Sequence, residues 1–221
     1  MIQYYLMENY IDIYCERLTP GLWAEPLNAI TNAAFILAAF LSYLLAERKD
    51  ALTKQSVTLI TILTLIGIGS TLFHTFATKM TMLMDVVPIL IYQIGFIWFY
   101  SLYVIRLNAI KTAGLFALFL ILTVTSEMMP SHILNGSLGY LPAIMFLAGF
   151  GIWHARNLEN ERYTLLTAAG LFLISLTFRS IDMAVCQTLP IGTHFLWHCL
   201  NGCVLYLTTR TYILSAKKAE I

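Results

Sequence analysis

The chain has 221 residues, 59% of them hydrophobic and 11% charged, with a formal net charge of +1. A soluble domain carries about a quarter charged residues, so this composition excludes an ordinary water-exposed globule and gives no reason to expect nucleic acid as a partner. Its apolar segments are of helix-spanning length and lack the alternation of barrel strands, and helices and closed barrels are the only structures that satisfy their own backbone in lipid. The expected fold is therefore an all-α membrane protein, a bundle of seven transmembrane helices in a single domain over 1–221.

In chain order, the start MIQYYLMENYIDIYCER has no basic region followed by an apolar core. No cleavable signal is expected, and the first helix must direct insertion. Residues 1–27 read as an extracytoplasmic segment, 28–214 as the helix bundle and 215–221 as a cytoplasmic tail. Apolar stretches fall at 28–46, 56–76, 82–105, 112–129, 138–154, 164–185 and 193–214. Arg48, Lys49 and Lys54 separate the first two, Arg106 and Lys111 the third and fourth, and Arg156 and Arg162 the fifth and sixth. Arg210, Lys217 and Lys218 close the chain, so ten of 13 basic residues collect on one side, while the opposite connections hold Arg17 and Lys79. The positive-inside rule makes the first side cytoplasmic, with the N-terminus outside and the C-terminus inside. Pro130, Gly136, Gly139 and Pro142 crowd the join between the fourth and fifth helices and blur their ends.

Ionisable residues within a membrane span are costly and mark function by default. Here they gather near the outer leaflet, in four different helices. Ser70 and His74 end the second, Asp85 opens the third, Arg179 and Asp182 approach the end of the sixth, and His194 and His198 open the seventh. The four-residue spacing puts His194 and His198 on one helix face, where two imidazoles can share a zinc ion. His74 offers a third nitrogen, and three protein ligands plus water is the catalytic arrangement of zinc. Asp85 is then placed to orient or deprotonate the water, and Ser70 to donate to a developing oxyanion. Taken singly, Asp85 would read as a structural partner of Arg179, and Ser70 within GIGS as small-residue helix packing. His132 and His154 lie outside the cluster and read as interfacial residues.

Ser70-x3-His74, Asp85 eleven residues later and His194-x3-His198 together resemble the alkaline ceramidase family. That family is part of a superfamily of seven-helix membrane hydrolases that also holds adiponectin receptors and GPI-anchor lipid-remodelling proteins. The run DIYCERLTPGLWAEPLNAITN is similar to the family's N-terminal segment, with a Glu-x-x-Asn-x-x-x-Asn pattern at Glu25, Asn28 and Asn32. The resemblance implies zinc on His74, His194 and His198, with Ser70 and Asp85 as catalytic partners. It implies hydrolysis of the ceramide amide to a sphingoid base and a fatty acid. It also implies calcium on acidic residues around the start of the first helix, for which Asp12, Glu16 and Glu25 are the candidates. The acidic segment departs from the animal enzymes in length and offers Leu18 where an Asn is expected.

Cys15 and Cys186 both fall outside on this topology, where disulfides persist. A bridge and two free thiols are both open from the sequence, and the resemblance supports the bridge. Cys199 and Cys203 read as small packing residues. The expected activity is a zinc-dependent amidohydrolase on ceramide or a related N-acyl lipid. The alternatives are an ester hydrolase on phospholipid or GPI lipid and a receptor-like seven-helix protein. A multi-pass protein of this kind is expected in the inner membrane of a bacterium or the endoplasmic reticulum and Golgi of a eukaryote; its oligomeric state stays open.

Overall fold

The computed structural model describes residues 10–130 and 132–216. Lys217 and Lys218, counted above on the cytoplasmic side, lie outside them. Seven long helices follow one another: α1 Pro26–Arg48, α2 Lys54–Phe76, α3 Lys79–Tyr103, α4 Ala109–Glu127, α5 Leu141–Asn157, α6 Thr164–Val185 and α7 His194–Ser215. A 3₁₀ stretch, Ile133–Tyr140, leads into α5. Among the described residues the one β feature is an isolated bridge between Tyr10 and Thr78.

The helices start where capping chemistry begins, slightly ahead of the apolar runs. Thr53 with Ser56 and Thr78 with Thr81 form capping boxes, each hydroxyl accepting from the other residue's amide. Those boxes satisfy the orphan N–H groups of the first turn. Between α2 and α3 a single left-handed residue, Ala77 (φ 48°), reverses the chain, held by the Ile11 amide donating to its carbonyl at 2.6 Å. The two helices then touch closely. A Cβ added at Gly69 would collide with the Met84 carbonyl oxygen. So the GIGS segment packs through a small residue, as one reading of the sequence had it, and Gly69 allows the close approach of α2 to α3 beside Asp85.

Six of the helices, α1 to α6 with the 3₁₀ stretch counted into α5, are long and apolar enough to cross a membrane. Helix α7 has 22 residues but is more polar, and the structure gives the reason. It packs against α1, α2, α3 and α6, and its polar side chains are spent on them. The Tyr92 hydroxyl meets Thr208 at 2.8 Å and Thr209 at 2.7 Å, while Asn201 donates to Ser175 at 3.1 Å. A helix shielded by its neighbours can afford polar groups that a lipid-facing helix cannot.

Three consecutive left-handed residues, Leu134, Asn135 and Gly136, make the irregular approach to α5. Arg179 of α6 holds them: its Nη1 donates to the Asn135 carbonyl (2.6 Å) and the Ser137 hydroxyl (2.9 Å). The guanidinium also lies over the rings of Tyr140 and Trp197, 5.3 and 5.7 Å from their centroids. This corrects the alternative reading of Asp85 as its partner. Ion pairs among the described residues join Arg17 to Glu25 and Arg210 to Glu161. His154 is corrected too. It is fully buried, with the Tyr100 hydroxyl 2.5 Å from Nδ1 and Nε2 donating to the Asn160 carbonyl at 2.8 Å. At the same end Glu161 is held below the usual carboxylate range by hydrogen bonds from Arg210.

Candidate metal centre

His74 ends α2, and His194 and His198 occupy the first turns of α7. All three are buried, and each offers a ring nitrogen within 4.8 Å of the others. What fixes the start of α7 is Asp182, a buried carboxylate of α6. Its Oδ1 accepts from the amides of Thr193 (2.6 Å) and His194 (2.9 Å), and its Oδ2 accepts from the Cys15 amide (3.0 Å). A carboxylate there satisfies orphan helix amides and complements the helix dipole. Gly192 (φ 66°) makes the turn possible, since a Cβ would run into Asp182 and Cys15. One side chain thus starts α7, aims its first histidine and anchors the N-terminal segment.

The partners of the three rings decide which nitrogens remain free. Nδ1 of His74 lies 2.5 Å from Oε2 of Glu25. A carboxylate only accepts, so Nδ1 carries the proton and Nε2 keeps its lone pair. Nδ1 of His198 lies 3.0 Å from the Thr31 hydroxyl, whose own proton goes to the carbonyls of Leu27 or Asn28. Thr31 therefore accepts from His198, and Nε2 is again the free nitrogen. Tyr14 stacks on His194 with centroids 3.7 Å apart. Nε2 of His74 and Nδ1 of His194 are buried with no hydrogen-bond partner. A buried orphan of this kind costs about 1–3 kcal/mol. Convergent lone pairs, each ring fixed from behind by an oxygen or a stacked ring, suit a metal ion.

Ser70 and Asp85 complete the cluster. Both are buried, on the faces of α2 and α3 that meet at Gly69. Inward of the histidines lies an apolar pocket of about 80 Å³. Phe35, Ile97, Phe119, Phe150, Trp197 and Val204 are among its walls. Phe35 also meets the His198 ring edge-on, so one wall residue of the pocket packs on the histidine cluster.

The N-terminal segment covers this end of the bundle. Cys15 and Cys186 are joined by a disulfide with Cα atoms 5.3 Å apart. Cys199 and Cys203 are free, the first half-buried and the second exposed on α7. The three acidic residues expected to share calcium do not form one cage, and among the described residues the three histidines are the one such group. Glu16 accepts from the amides of Leu27 (2.6 Å) and Asn28 (2.8 Å) and caps α1. Asp12 is exposed. Glu25 is enclosed by Arg17, Asn28 and His74. Burial alone would raise its pKa, but the hydrogen bond from His74 and the charge and hydrogen bond of Arg17 hold the carboxyl below its usual range.

The sequence singled out the three histidines that come together and missed the residues behind them: Tyr14, Arg17 and Thr31, together with the contacts of Glu25 and Asp182. The Glu25–Asn28 spacing was the available signal, because it sets both side chains on one face of the first turn of α1. No curated protein matches the chain. The Ceramidase family model matches residues 13–220. With nearly the whole length matched, and the histidine cluster where the family resemblance placed it, the chain belongs to the ceramidase family.

Proposed function

We propose that the protein is a zinc-dependent intramembrane amidohydrolase that cleaves ceramide, or a related N-acyl lipid, to a sphingoid base and a fatty acid. Family membership supports ceramide hydrolysis. The observation that carries the zinc centre is the pair of orphaned ring nitrogens among three buried histidines, beside a serine and an aspartate. When bound, zinc supplies Lewis-acid chemistry, polarising a carbonyl and making water acidic enough to react near neutrality. Around it, Asp85 holds the attacking water, takes its proton and passes it to the nitrogen as the C–N bond breaks. Ser70 donates to the oxygen that gains negative charge. The phenylalanine-rich cavity takes an acyl or sphingoid chain, and the N-terminal cover over His194 keeps bulk water away. Purified protein in detergent, given a panel of ceramides and phospholipids and read by mass spectrometry, should release fatty acid from ceramides. Release from phospholipid esters alone would replace the amidase reading by the esterase one.

The same reading makes all seven helices spans, with the N-terminus outside and the metal centre near the outer leaflet. The Lys79 turn and the Leu189 loop lie at the metal end, and both residues are exposed. Cysteines engineered at Lys79 or Leu189 should react with a membrane-impermeant label from outside, and those at Lys49 or Arg106 only from the cytoplasm. The reverse pattern would put the metal centre at the inner leaflet.

A further inference from the structure

The calcium ion that the family resemblance implies does not fit the residues present, and that misfit has a consequence. We propose that Arg17 is a built-in cation, a positioning residue whose guanidinium holds Glu25 against His74 and makes the metal centre independent of calcium. The proposal rests on the three-histidine centre described above.

Both carboxylate oxygens of Glu25 are already engaged, and the free acceptors beside it are two neutral amide oxygens, those of Asn28 and Asn32, too few for a calcium shell. Oε1 of Glu25 accepts from Arg17 Nε at 2.5 Å. Its Oε2 accepts from His74 (2.5 Å) and from the Asn28 side-chain amide (3.1 Å). Calcium takes six to eight oxygens, but the Glu16 carboxylate is committed to the first amides of α1 and Asp12 is out in the open. Arg17 also uses its remaining donors at this place. Nη1 reaches the Gly21 carbonyl at 3.2 Å, and Nη2 reaches the carbonyl of His74 itself at 3.1 Å. It therefore grips both the carboxylate that orients the His74 ring and the backbone that carries it. Arg17 is 4% exposed and Glu25 1% exposed, so the pair is out of water and a second cation on the same carboxylate would face the guanidinium's charge. Guanidinium remains charged at any physiological pH and cannot diffuse away. A calcium ion in that place would come and go with its concentration; an arginine does not.

The test uses the full chain in detergent, zinc-loaded, in calcium-depleted buffer and in millimolar calcium with zinc held constant. The readouts are the thermal midpoint, the zinc content and the rate at which a zinc-binding dye strips the metal. Wild type should give the same three values with and without calcium. Arg17→Gln keeps an N–H donor on a shorter side chain and loses the charge. It should lose zinc to the dye on the order of 10–100-fold more readily, the usual effect of removing a partner behind a metal ligand. Calcium should then raise its thermal midpoint and slow the loss, because the uncompensated Glu25 carboxylate becomes available. Arg17→Lys keeps a charge and should stay calcium-insensitive. A wild-type midpoint or zinc retention that rises with calcium overturns the proposal, and so does an Arg17→Gln protein that holds zinc as wild type does. If Arg17→Gln does not fold, the calcium response of wild type and Arg17→Lys still decides. A wild type that binds no zinc in either buffer sinks the three-histidine reading itself, a different result from a calcium response.

Discussion

His198→Ala empties the metal centre: zinc falls from about one per chain toward none, because two remaining nitrogens leave an incomplete ligand set, and ceramide hydrolysis falls to background. The structure predicts a second sign of the same loss. Wild type without metal keeps orphaned buried nitrogens on His74 and His194, so zinc should raise its thermal midpoint by mass action. In His198→Ala that rise should vanish, on a zinc-free midpoint lowered by the cavity the buried ring leaves. His194→Ala should behave alike in metal content, and the exposed His132→Ala should match wild type throughout. Elemental analysis with full zinc in both His194→Ala and His198→Ala would remove the site.

Asp85→Asn separates chemistry from metal binding. The amide has the same shape and can still face Ser70, but it cannot accept a proton. Activity should drop about 10²–10⁴-fold, the range for loss of general acid–base catalysis, with zinc content and thermal midpoint near wild type. Ser70→Ala should cost about 10²–10³-fold if the hydroxyl supports an oxyanion. The double variant should lose less than the product of the two, because neighbouring side chains that serve one step couple. A wild-type turnover rate in Asp85→Asn would end the proton-transfer role and leave Asp85 as a structural neighbour of Ser70.

The seven helices were legible in the sequence because length and apolarity are local properties. Each stretch from 28–46 to 193–214 reappears as a helix displaced by a few residues, and the displacements trace to caps such as Thr53 and Thr78, which an apolar count does not see. Ser70, His74, Asp85, His194 and His198 were legible for a related reason. A polar group within an apolar helix carries a desolvation cost that has to be met somewhere, so its position alone marks it. Whether the cost was met by a metal or by a neighbouring helix was not legible. Arg179 shows the difficulty, since it looked like a partner for Asp85 and instead holds the left-handed turn at Leu134–Gly136.

What the sequence by itself determined is the inventory: an apolar helical chain, polar residues set within its apolar stretches and two cysteines that could meet. Tertiary structure decided the pairings. Glu25 reads as one of three calcium ligands along the chain, yet it is the side chain behind His74, because the first turn of α1 packs against the end of α2. Arg17 is an ordinary basic residue of a polar segment until the fold closes that segment over the bundle and buries it on Glu25. Asp182 becomes the cap of α7 once Gly192 turns the chain back beside α6. Hydrogen bonds and ion pairs reach only about 3 Å, whereas these partners lie 8 to 167 residues apart in sequence. Helix formation depends on near neighbours in the chain, and the state of each histidine depends on contacts that only packing creates.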